Sequence, residues 1–103
     1  MSLGDKRRRM SKMLSLLEGY ANLLGYEIAY DFLKRCGDCP IGHETSLHKI
    51  GLAVDINLYK DGRYLETTDD HRELGEFWEH IGGAWGGRFN DGNHYSISHM
   101  GMR

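Results

Sequence analysis

The stretch Gly51 to Tyr59, GLAVDINLY, restricts most sharply what this chain can become. Val54, Ile56 and Leu58 fall on one face at a period of two, with Ala53, Asp55 and Asn57 on the other. That pattern predicts a buried β-strand with a carboxylate in its interior. A buried charge must be paired or coordinated, because leaving it alone in an apolar setting is costly. Asp55 therefore needs a partner, and the rest of the chain has to supply it.

The flanking segments give the fold class. Met10, Met13, Leu14, Leu17, Ala21 and Leu24 follow the i, i+3, i+4, i+7 spacing of one helical face, and Gly25 supplies a stop. The basic run Lys6 to Arg9 lies at the start of this helix, against the dipole. Tyr26 to Tyr30 reads as a short strand. Asp31 to Thr45 reads as irregular, and it holds both cysteines and the single proline. Lys60 to Arg63, KDGR, is a hairpin turn with Asp-Gly at its centre, and Tyr64-Leu65 starts the return strand.

Asp70 and Glu73 form an acidic analogue of a capping box. They open a second helix whose apolar face is Leu74, Phe77, Trp78 and Ile81, and which ends at Gly82-Gly83. Trp85 to Phe89 reads as a tight loop, and His94 to Ile97 as a last short strand. Helices and strands mix without a βαβ rhythm, so the class is α+β: a small, mainly antiparallel sheet packed with helices, with a metal site at the sheet. The 103 residues form one domain, 1–103.

Charge and hydropathy narrow the partners. A net charge of -2 gives no polyanion-binding signal, so no nucleic acid partner is expected despite Lys6 to Arg9. No run approaches the roughly 20 apolar residues of a membrane span. Glu18 and Asn22 interrupt the apolar stretch after the basic run, which argues for an amphipathic helix and against a signal peptide. Synthesis in the cytoplasm is expected, with outside help for any export. Oligomeric state is not legible in the sequence.

Six histidines in so short a chain direct attention to a metal. His48 precedes the strand, and Gly51 lets the backbone fold closely enough for His48 and Asp55 to converge. His94 opens the last strand, inside DGNHYS, and is the strongest third ligand. Two imidazoles and one carboxylate, with a position left to water, describe a catalytic zinc site rather than a structural one. Asp91, three residues before His94, is placed to act as a general base without ligating the metal.

SLHKIGLAVDIN followed by WGGRFNDGNHYS resembles the zinc D-Ala-D-Ala carboxypeptidases, D,D-dipeptidases and phage L-alanyl-D-glutamate endopeptidases. The motif is carried by Ser46, His48, Gly51, Ala53, Asp55, Asp91 and His94. Trp85-Gly86-Gly87 and an Asp rather than a Glu at 91 look most like the phage endolysin branch. The resemblance implies a zinc peptidase acting on peptidoglycan stem peptides, with Zn2+ held by His48, Asp55 and His94 and water activated by Asp91. The family's carbonyl-polarising arginine maps onto YDFLKRC, where Arg35 is the preferred residue and Lys34 the other choice. Ser46 and Tyr95 are expected to contact substrate.

A phage or prophage product, released by a holin or carried on a virion, fits this reading. Its rival is a non-catalytic zinc-binding virion module, which would have no use for Asp91. Cys36, Cys39 and His43 supply three donors where a zinc knuckle needs four, so reduced thiols or a local disulfide are expected instead. His71 and His80, in the first and last turns of the second helix, are read as non-ligands. Trp85 is read as packing.

Overall fold

The computed structural model describes residues 2–31 and 52–98. Lys34, Arg35, Cys36, Cys39, His43, Ser46, His48 and Gly51 lie outside the described residues. Within them two helices pack on one face of a five-stranded antiparallel sheet, the α+β arrangement expected.

Helix α1 spans Leu3–Leu23 and starts ahead of the basic run. Ser2 accepts from the Asp5 amide while the Asp5 carboxylate accepts from the Ser2 amide, satisfying two otherwise orphaned donors. Met10, Met13, Leu17 and Ala21 are its buried stripe. Gly25, at φ +87°, turns the chain out of the helix into β1, Glu27–Asp31.

Strand β2, Ala53–Lys60, is the centre of the sheet. One edge pairs with β1, from Glu27 opposite Tyr59 to Asp31 opposite Asp55. The hairpin at Asp61-Gly62, with φ +53° and +78°, leads to β3, Arg63–Leu65, on the other edge. Both central residues have positive φ, the two-residue geometry that matches strand twist.

Helix α2, Thr68–His80, begins one turn earlier than the Asp70–Glu73 pair suggested. Thr67 is extended and its hydroxyl accepts from the Asp70 amide, while Asp70 reaches back to the Thr67 amide. Asp70 is thus the third helical residue rather than the cap. Leu74 and Trp78 are fully buried, and Phe77 stacks on Tyr20 of α1 with ring centroids 4.2 Å apart.

Trp85, expected to open a loop, instead joins Ala84 in a short strand, β4, Ala84–Trp85, which pairs with β5, His94–Ser96. A 3-10 turn, Gly86–Phe89, connects them. Strand order is β1-β2-β5-β4, with β3 beside β2. The face carrying Val54, Ile56, Leu58, Trp85 and Tyr95 meets Met10, Met13 and Leu17 of α1 and Leu74 and Trp78 of α2 in one core. No helix among the described residues is long and apolar enough to cross a membrane.

Candidate metal centre

Antiparallel register decides which side chains share the other face of the sheet. Asp55 stands directly opposite His94 across the β2–β5 pairing. Residues opposite each other in such a pair project to the same side. Ala53, Ser96 and Ala84 form the next row across β2, β5 and β4. Asp55 is 5% exposed, so its carboxylate sits where the strand pattern required a partner.

Asp55 Oδ1 and His94 Nδ1 are 3.7 Å apart. That is longer than a hydrogen bond. Two donors each about 2.0–2.2 Å from one tetrahedral ion stand roughly 3.3–3.6 Å from each other. A buried carboxylate and a partly buried imidazole at this separation therefore fit two ligands of a zinc ion. Among the described residues no group of three His, Cys, Asp or Glu side chains is assembled for a metal. The third expected ligand, His48, belongs to the segment outside them. Asp31 faces Asp55 across the β1–β2 pairing. Two carboxylates directly opposite each other repel, and a cation in that row relieves the repulsion. Asp31 escaped the sequence reading because only the register of β1 on β2 brings it there.

The loop between β4 and β5 is built around glycines. The Asp91 amide donates to the Gly86 carbonyl at 3.0 Å, and the His94 amide donates to the Asp91 carbonyl at 3.1 Å. Asp91 and His94 therefore lie in one closed turn. A Cβ on Gly86 would sit 2.3 Å from the Asp91 carbonyl oxygen and 2.8 Å from His94 Cβ. Only glycine lets this loop close so tightly. Trp85 donates from Nε1 to the Gly92 carbonyl at 2.7 Å, tying the loop to the core. Trp85 is 1% exposed, the packing role expected of it.

Tyr95 is a correction to the sequence reading. Strand alternation turns it away from His94, and its side chain is wholly buried beside Trp78. Its hydroxyl lies 2.9 Å from His71 Nδ1. It is a core residue with no surface to offer a substrate. His71 is 1% exposed, and neither its burial nor its bond to Tyr95 was foreseen. A histidine on the buried stripe of α2, three residues before Leu74, was the available signal.

Burial lowers the His71 pKa, outweighing the opposite pull of Asp70 and Asp91. The folded protein thus binds this proton less readily than the unfolded chain. The resulting stability is intact above the ordinary histidine value of about 6.5 and declines as pH falls below it towards the folded pKa. Thermal unfolding of chelator-treated protein from about pH 8 to about pH 5 should show this decline. In His71→Gln the decline should be shallower. Identical pH profiles for the two proteins would refute the assignment.

A family model described as D-alanyl-D-alanine carboxypeptidase matches residues 42–97, over half of the chain. The chain belongs to this peptidase family. The matched segment of this D-alanyl-D-alanine carboxypeptidase family member includes Ser46, His48, Asp55, Asp91 and His94. Among the described residues it also takes in every strand but β1 and the whole of α2. Comparison with curated proteins and with solved structures gave no match.

Proposed function

We propose that the chain is a zinc-dependent hydrolase of an amide bond in bacterial peptidoglycan stem peptides, of carboxypeptidase or L-alanyl-D-glutamate endopeptidase type. The observation that carries this reading is the buried Asp55–His94 pair, 3.7 Å apart, within the segment matched to a peptidase family. His48, Asp55 and His94 would hold the zinc. Bound there, zinc would supply Lewis acidity, lowering the pKa of water towards about 7 and polarising a carbonyl.

Asp91 takes the proton of the attacking water as its oxygen adds to the scissile carbonyl carbon. It returns that proton to the leaving nitrogen as the carbon–nitrogen bond breaks. The turn from Gly86 to His94 sets the backbone of Asp91 against that of His94, so base and ligand move together. Arg35, or Lys34 in its place, would steady the developing oxyanion, and Ser46 would contact the peptide. A phage or prophage origin, with access to the wall by holin-type release or on a virion, completes the reading.

Metal analysis coupled to peptide hydrolysis tests it. Purified protein should carry a single tightly bound zinc and cleave a stem peptide ending in D-alanyl-D-alanine or containing L-alanyl-D-glutamate. His94→Ala should lose the zinc and the turnover together. The double replacement of Cys36 and Cys39 by Ser should retain both. Undiminished zinc in His94→Ala would remove that residue from the ligand set, and zinc loss in the cysteine variant would mean that the two groups of donors form one site.

A further inference from the structure

We propose that Tyr59 and Tyr64 form a stacking platform for a sugar ring of the glycan strand that carries the stem peptide. This rests on the peptidase reading above and extends its substrate from the peptide to the strand. Side chains alternate along β2, so Asn57 and Tyr59 share the face of Asp55, opposite the core beneath the helices. Cross-strand register adds Ala29 and Glu27 from β1 and Tyr64 from β3 to the same face. The metal position and the two tyrosines therefore lie on one side of the sheet.

Burial falls off along that side. Ala53 and Asp55 are buried, Asn57 and Tyr59 are half-buried, and Glu27, Ala29 and Asp31 are exposed. Tyr64 is 50% exposed, a large aromatic side chain that the fold leaves in solvent. Its ring centroid lies 5.4 Å from that of Tyr59, with the planes tilted by 45°. Neither ring belongs to the core cluster of Val54, Ile56 and Leu58. Tyrosine joins an apolar ring to a polar tip, which suits a sugar with its C–H faces and hydroxyl rim. Glu27, opposite Tyr59, and Asn57, two residues before it, add a carboxylate and an amide for hydroxyl and N-acetyl groups.

The spacing fits as well. Tyr59 is four residues from Asp55, roughly 13 Å along the strand. In peptidoglycan a lactyl group joins the sugar to the stem peptide. At about 3.4 Å per residue, the first bond between amino acids stands roughly 7 Å from the sugar and the last about 17 Å. The platform falls within that range. A strand whose peptide occupies the metal centre can rest a sugar on the tyrosines.

Two substrates with the same stem peptide test this, one free and one carried on N-acetylmuramic acid. Zinc-loaded wild type should cleave the muramyl peptide with a kcat/KM about tenfold above the free peptide, through a lower KM. Tyr64→Ala should bring that ratio close to one, and Tyr64→Phe, which keeps the ring, should preserve it. The ratio separates this role from a structural one, because a damaged fold slows both substrates together. A ratio near one in wild type, or unchanged in Tyr64→Ala, would overturn the platform and leave the peptidase reading standing. No turnover of either substrate would overturn the peptidase reading. NMR titration of wild type with an N-acetylglucosamine tetrasaccharide then judges the platform alone. Shifts of the Tyr59 and Tyr64 ring signals support it. Silent rings overturn it, as do ring shifts that follow protein concentration instead of saccharide, the sign of a contact between copies.

Discussion

Replacing Asp91 with Asn should lower turnover of a D-alanyl stem peptide by about two to four orders of magnitude, the usual contribution of a positioned base. Zinc content should not change, because the substitution removes none of His48, Asp55 and His94. Stability should hardly change either. The turn is made by backbone atoms, from the Asp91 amide to Gly86 and from the Asp91 carbonyl to the His94 amide, and Asn preserves both. Paired kinetics and metal analysis separate the alternatives. Full activity in Asp91→Asn would move the search for a base to Glu44. Wild-type protein that holds zinc but cleaves no stem peptide would favour the non-catalytic virion module.

Trp85→Ala should cost about 3–5 kcal/mol, the range for losing a buried aromatic side chain. Native domains have only about 5–15 kcal/mol in total. The melting temperature should therefore fall by more than about 10 °C. The size of the effect follows from how the indole is held. A Cβ on Gly75 of α2 would lie 2.1 Å from the ring, and one on Gly87 would lie 2.2 Å from it. Two glycines thus clasp the indole from the helix and from the 3-10 turn. The ring also anchors Gly92, so residues 86–93 lose their attachment to the core when it goes. Trp85→Phe keeps a ring but not the Nε1 donor, and should cost less. A melting temperature for Trp85→Ala within about 3 °C of wild type would contradict this account.

Much of this was legible from local pattern. The alternation at 53–58 carried both the strand and its two faces, and Asp-Gly at 61–62 carried the hairpin, because each depends only on neighbours in sequence. The juxtaposition of Asp55 with His94 could be expected because a buried carboxylate demands a partner. Three readings missed for physical reasons. Ala84–Trp85 is too short to show a period, and becomes a strand only through pairing with β5. The cap of α2 went to Thr67 because a hydroxyl on an extended residue reached the Asp70 amide first. Tyr95 was assigned to substrate for its nearness to His94 in sequence, although neighbours in a strand point to opposite faces. The roles proposed for Ser46, His48, Lys34 and Arg35 rest on spacing and family resemblance, because their segment lies outside the described residues.

The order β1-β2-β5-β4 has a consequence for synthesis. β5 comes last in sequence among the described strands but lies between two that precede it. A growing chain can form α1, the β1–β2–β3 portion and α2 while β2 and β4 still lack the strand that bridges them. His94 reaches Asp55 only when β5 enters that gap, bonding from Ile97 to the Leu52 carbonyl and from Ile56 to the Asn93 carbonyl. The Asp55–His94 pairing thereby depends on a strand synthesised after both of its neighbours in the sheet. A chain stopped before His94 keeps most of its core residues but lacks one member of the Asp55–His94 pair on which the proposed function rests.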